Sequence, residues 1–208
     1  MLNKIAIILI PVIIIFIFIP HTKPLTKIEE ELANLDLDTK WVPGYNIACN
    51  SGNILRDKST TVKSSHCSCL VASMCKKLGV EIPNVPKYSQ YHLADNQLKW
   101  LNTLESGKYG WYKITEPVPD CYITANKKAQ EGKLVIAGIY EDEKTNGHIS
   151  IVRPTDRIEY LLKRDGPIVV ASSIPNTYGS TLVDEFKLNN KDFQHLNGRV
   201  MFFYNNIN

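Results

Sequence analysis

The stretch His66-Cys67-Ser68-Cys69-Leu70-Val71 follows the polar residues Thr60, Thr61, Ser64 and Ser65 and runs into an apolar helical pattern. Cys67 is therefore expected in the first turn of a helix. Unpaired backbone N–H groups and the positive end of the helix dipole favour a thiolate there, and the thiolate is the nucleophilic form of cysteine. The plainer alternative is that Cys67 is one more small, buried or disulfide-bonded residue. A second residue bears on that choice. His148 follows the Asn146-Gly147 turn and opens a strand, where its ring can leave the sheet end toward a helix terminus. Taken alone, such a histidine is more often simply exposed. A neutral imidazole near Cys67, however, would take its proton and later hand it to a leaving amine.

The elements that must position this pair are legible as periodicities. Thr61 to Gly79 reads as a helix with Leu70, Val71, Met74, Cys75 and Leu78 on one side and Gly79 as the stop. Ser89 to Leu104 reads as a second helix and Thr124 to Gln130 as a short third. From there the pattern turns strand-like. Lys133 to Tyr140 and His148 to Arg153 are joined by a charged loop ending in Asn146-Gly147, a hairpin signal. Ile158 to Leu162, Ile168 to Ser172 and Arg199 to Tyr204 are further strand candidates. Helices first and an antiparallel meander after give an α+β order.

The residues just quoted, continued by Lys77-Leu78-Gly79-Val80, Ile82-Pro83 and Ser89-Gln90, resemble the nucleophile block of the NlpC-type cell-wall cysteine peptidases. The second block is Gly132-Lys133-Leu134-Val135-Ile136 followed by Gly147-His148-Ile149-Ser150-Ile151-Val152. It is similar to a pair of motifs shared by NlpC-type and CHAP amidases. The resemblance spans residues 64–173. It implies a papain-like core with the cysteine helix packed on an antiparallel sheet. It further implies Cys67 as nucleophile, His148 as base, and cleavage of amide bonds in the peptide part of peptidoglycan. The chain departs from the family at His66, where the pattern has Asp, and at Cys69, where it has Gly. The long interval to His148 makes 88–121 an expected insertion shaping the substrate groove. The family also places a third polar residue on the strand after the histidine strand. Val170 occupies that slot; Ser172 lies on the same face and Asn176 follows in the loop. Asn176 is favoured as the orienter, because an amide oxygen accepts from an imidazole N–H better than a hydroxyl does.

Cys49, Cys69, Cys75 and Cys121 are the pairing candidates, with three connectivities open. An odd number of cysteines suits one reactive thiol. Cys69 is the rival nucleophile, about 200° round the helix from Cys67 at 3.6 residues per turn. A zinc site is disfavoured, since His66, Cys67 and Cys69 are too crowded and lack a downstream pair. No cofactor motif is present in the sequence. His21, His92 and His195 show no partner pattern, while Tyr45, Tyr88, Tyr91, Trp100 and Trp111 are either core or groove.

The 208-residue chain is 44% hydrophobic and 22% charged, which excludes a collagenous or disordered protein. Its net charge of +3, without any polybasic run, argues against a nucleic-acid partner. Lys4 followed by the apolar run Ile5 to Ile19 makes 1–20 an export signal or membrane anchor. The run reaches about 23 Å against roughly 30 Å of hydrocarbon. Residues 21–40, with Leu25, Ile28, Leu32 and Leu35 as a weak stripe, are expected to be a stalk, and 41–206 the hydrolase domain. The sequence therefore points to an exported thiol hydrolase acting on cell-wall peptides. Two alternatives stand beside it: a cysteine hydrolase or acyltransferase on another amide or ester, and a catalytically silent envelope-binding domain.

Overall fold

The computed structural model describes residues 25–56, 65–84, 92–139, 147–188 and 199–207. Helix α2, Cys67–Lys77, carries an almost unbroken buried stretch from Cys67 to Cys75. It ends where Lys76 and Lys77 meet the negative end of the dipole and Gly79 adopts φ 72°. Its start is sharper than expected: Ser65 and His66 are not helical, and residues 57–64 lie outside the described residues.

The sheet beside it has six antiparallel strands: β3 Trp111–Ile114, β4 Leu134–Ile139, β5 His148–Val152, β6 Ile168–Ala171, β7 Thr177–Thr181 and β8 Met201–Asn205. Their spatial order is β3-β8-β4-β5-β6-β7. All six residues of β4 are buried, because helices cover both faces. Leu134 and Ile136 join a core with α1 (Lys27–Ala33), α2 and α3 (Leu93–Leu101). Val135, Ala137 and Ile139 join a second core with α5 (Asp120–Gln130) and α7 (Leu182–Glu185). Register pairs Ile139 with His148, so His148 stands at the extreme end of the central hairpin. Residues 140–146 of the loop between the two strands, Asn146 among them, lie outside the described residues. A mixed α+β architecture on an antiparallel sheet is thus present.

Three expectations change. The run Ile158 to Leu162 is no strand but the start of α6, Glu159–Asp165. Its apolar residues do not alternate into a core, since Leu162 alone is buried. The Glu159–Lys163 pair at 2.9 Å supports the helical turn, and Gly166 at φ 75° stops it. The expected insertion is part of the fold in its described portion. There α3 packs into the first core, and β3 pairs with β8 after α4, Leu104–Gly107.

The expected stalk is the third. Within 25–40, Ile28, Leu32, Leu35 and Leu37 are buried in the first core. Each is worth about 1.5–3 kcal/mol on burial, too much for a mere tether, so the domain starts before Trp41. Thr26 and Glu29 form a capping box at the start of α1. Among the described residues no helix is long and apolar enough to cross a membrane; the run 5–19 lies outside them.

The segment that follows crosses back over α2. A two-stranded ribbon, β1 Asn46–Ile47 with β2 Ile54–Arg56, turns at 48–52. Gly52 sits at φ 72° directly under the Trp41 indole, where a Cβ would overlap the ring. Gly52→Ala is accordingly expected to destabilise the fold by about 2 kcal/mol through a clash added to a left-handed backbone. Thermal unfolding followed by circular dichroism checks this, and an unchanged midpoint would refute it.

Candidate active site

Cys67 is the first residue of α2, and the N-cap His66 supplies no side-chain hydrogen bond to the helix. The earliest intrahelical bond runs from Leu70 N–H to His66 O. The N–H groups at the helix start are therefore not consumed by a side-chain cap from His66. What holds this helix start is the sheet end, through His66 N–H to Ser172 O at 3.0 Å.

The Cys67 sulfur and the His148 imidazole face each other closely enough that each shifts the other's proton affinity. His148 Nε2 lies 2.8 Å from Glu185 Oε1, which leaves Nδ1 for the sulfur. A carboxylate on Nε2 fixes the proton there, so Nδ1 is the nitrogen free to exchange a proton with the thiol. The ring is also braced edge-on by Phe186, with centroids 4.8 Å apart. Glu185 itself is only 4% exposed. Its other oxygen accepts from Ser180 Oγ at 3.2 Å, and the hydroxyls of Ser173 and Thr177 lie near enough to favour its charged form. Thr181 caps α7 by accepting from Asp184 N–H, which sets the direction in which Glu185 projects.

The electrostatics follow from these contacts. Burial by itself would raise the Cys67 pKa. The charge and hydrogen bond of His148, the Ile149 N–H and the Ser65 hydroxyl outweigh it and hold the thiol below its ordinary value. Burial likewise opposes the charged imidazole, but Cys67 and then Glu185 hold His148 above its ordinary value. Glu185 is kept below the usual carboxylate range: burial is outweighed by the hydrogen bond and charge of His148, with the hydroxyls adding to the shift. The three shifts all favour thiolate, imidazolium and carboxylate in a row.

The remaining cysteines are accounted for. Cys49 and Cys69 form a disulfide, which removes Cys69 as a rival nucleophile and as a zinc ligand. Cys75 and Cys121 are free and buried. Burial pushes the Cys75 thiol up, and burial together with Glu116 pushes Cys121 up to about 11. Among the free thiols, Cys67 alone is shifted toward the reactive form.

Asn176, expected to orient the imidazole, does not reach it. Its Nδ2 donates to Leu37 O at 2.8 Å and Trp41 O at 3.4 Å. Ser172 Oγ donates to Trp41 O at 2.8 Å, and Val170 is buried in the first core. These residues fasten the sheet end to the 37–41 segment, because the chain turns that way after β6. Glu185 instead arrives one strand and one helical turn later. The only sequence signal for it was the Thr181-Leu182-Val183-Asp184 cap pattern.

Of the candidate groove aromatics, Trp111 is core, with Nε1 donating to Glu81 O at 2.8 Å. Tyr45 and Trp100 are half-buried against the first core. His92 is an exposed residue at the start of α3. Tyr88, Tyr91, His21 and His195 lie outside the described residues. No protein-family model matches the chain, and no curated protein matches it significantly.

Glu185→Gln retains the size of the partner but loses its charge. In any reaction that runs through Cys67 and His148, the rate is expected to fall about 10- to 100-fold, and the high-pH limb of its profile to move to lower pH, because the imidazolium loses an anion. An upper limb that stays in place would refute this role. Asn176→Ala is expected to leave turnover within about twofold while costing about 1 kcal/mol of stability from the lost amide bonds.

Proposed function

We propose that the protein is a thiol-dependent hydrolase with a papain-like core that cleaves amide bonds in the peptide part of peptidoglycan. The observation that carries this reading is the row Cys67–His148–Glu185, in which the first sulfur of a helix meets an imidazole whose far nitrogen is held by a buried carboxylate. The order of the two sequence blocks supports the substrate class. The silent-domain alternative drew on the lack of an orienter for His148; Glu185 fills that role, which favours catalysis.

The Cys67 thiolate attacks the scissile carbonyl carbon, and the carbonyl electrons move to oxygen. The oxyanion is met by backbone N–H at the start of α2. As the C–N bond breaks, His148 Nδ1 gives its proton to the departing amine, leaving a thioester on Cys67. Water then loses a proton to the same nitrogen and attacks the thioester. The acid is released and the thiolate–imidazolium pair is restored. Glu185 keeps the ring in one tautomer and one orientation throughout.

The proposed setting is the cell envelope, reached through the apolar run Ile5 to Ile19 acting as a signal or anchor. Incubation of purified peptidoglycan with the protein, followed by mass spectrometry of the soluble fragments, tests the reaction and the bond together. New stem-peptide fragments are expected, each cleaved bond adding one water across its two products. An unchanged fragment pattern with active-site thiol intact would overturn the substrate assignment.

A further inference from the structure

The segment 41–53 is held against the nucleophile helix by an unusual concentration of ties. Cys49 is bonded covalently to Cys69, two residues after the nucleophile. Ser73 Oγ, one turn further along α2, donates to Asn50 O at 3.1 Å. The backbone carbonyls of Tyr45 and Val42 lie near enough to the His66 ring, immediately before the nucleophile, to oppose the loss of its charge on burial. Trp41 O receives Ser172 Oγ and Asn176 Nδ2 from the sheet end, and Trp41 N–H returns to Gly52 O at 3.0 Å. The segment thus joins the start of α2 to the strand end beside His148.

Its own means of staying in place are few. The ribbon has strands of two and three residues, and Ile54 and Leu55 are exposed. Trp41, Ile47 and Cys49 are the buried hydrophobic side chains it contributes. Trp41 is also held at φ 58°, a conformation a non-glycine residue keeps only when its surroundings impose it. His148, by contrast, is anchored independently by Glu185 on the other side of the sheet. Loss of the covalent tie would leave the start of α2 to the single His66 N–H to Ser172 O bond and its core packing, while His148 keeps its own anchor.

We propose that the Cys49–Cys69 disulfide licenses the active site: the chain with both thiols reduced folds its sheet and helices but does not bring Cys67 into register with His148. The chemistry is thiol–disulfide exchange. A disulfide oxidant accepts two electrons from the Cys49 and Cys69 thiols, which lose their protons as the bond forms. In the reverse direction a dithiol reductant becomes a disulfide while each sulfur regains a proton. The bond is buried, with Cys49 6% and Cys69 0% exposed, so it persists once formed. The control therefore acts at formation. A hydrolase made in a reducing compartment is off there and turns on where oxidants are present. This regulation belongs to the thiol hydrolase proposed above, but it is read out on Cys67 itself. Without His148 beside it, Cys67 is left to burial alone, which is what raises the thiol of Cys75 on the same helix.

The test is the iodoacetamide alkylation rate at Cys67, read peptide by peptide by mass spectrometry. It compares oxidised protein, the same protein reduced by a dithiol, and reduced protein reoxidised in a dithiol–disulfide buffer. Circular dichroism reports the fold in each. Reduction is expected to slow Cys67 alkylation by about tenfold or more with the far-ultraviolet spectrum retained, and reoxidation to restore it. The double variant Cys49→Ala/Cys69→Ala is expected to be slow in every buffer. A rate within about twofold in the reduced protein overturns the proposal. So does wholesale unfolding on reduction, since the bond would then be a general stabiliser. If Cys67 follows the disulfide but no peptidoglycan fragment appears, the substrate reading fails alone; if hydrolysis persists unchanged in the reduced protein, the licensing fails alone.

Discussion

Cys67→Ala is expected to lower amide hydrolysis by about 10⁴-fold or more, down to the background left by binding and the helix-start N–H groups. Neither of the other free cysteines should behave this way. Cys121 lies in the second core, across the sheet from α2, and Cys121→Ser should keep turnover within about twofold while losing some stability. The contrast follows from chemistry rather than burial, because both thiols are buried. Of the two, only Cys67 has a proton acceptor beside the sulfur. Steady-state release of new amines from peptidoglycan measures the effect. Comparable losses in the two variants would mean that the reaction does not pass through Cys67.

His148→Ala is the second large effect, expected at about 10³- to 10⁴-fold. The ring supplies the charge that lowers the Cys67 thiol, and it carries the proton to the leaving amine. The variant should therefore lose both the rate and the reactive form of the thiol. The Cys67 pKa should move upward, since the burial that now opposes ionisation would act nearly alone. The imidazole is 24% exposed, so the vacated space opens to solvent and imidazole in the buffer should restore part of the activity. Rescue that is absent while the fold is intact, together with an unshifted Cys67, would separate His148 from the chemistry.

The parts of the fold that were legible are those with strong apolar periodicity. The helix at Cys67 and the strands at Leu134, His148, Ile168 and Met201 announce themselves because their buried faces are continuous. The edge strands Trp111–Ile114 and Thr177–Thr181 were not legible. An edge strand has one open flank, and these two alternate weakly, with exposed residues in their middles. The run at Ile158 was ambiguous because four apolar residues in five fit either element; the Glu159–Lys163 spacing and Gly166 were the better guides. The stalk was misjudged because a stripe of Ile28, Leu32 and Leu35 does not say what it packs against.

In the site, Cys67 and His148 could be named from sequence because each sits at the end of a regular element. Glu185 could not, because its position depends on β7 pairing back along β6 and on a four-residue helix after it. Asn176 was chosen for its chemistry, an amide in the right loop. The backbone after β6 instead aims it at Leu37 and Trp41. Chemical type was readable, direction was not.

The central claim, that Cys67 and His148 form a thiolate–imidazolium pair, is tested most directly by the pH dependence of Cys67 alkylation. The thiol is lowered and the imidazole raised, so the ion pair fills the window between them. Alkylation should already be fast well below the pH at which free cysteine ionises. A second rise should appear at higher pH, as His148 loses its proton above the ordinary imidazole range. A single rise centred on the ordinary thiol value, unaffected by His148→Ala, would contradict the pair and the hydrolase built on it.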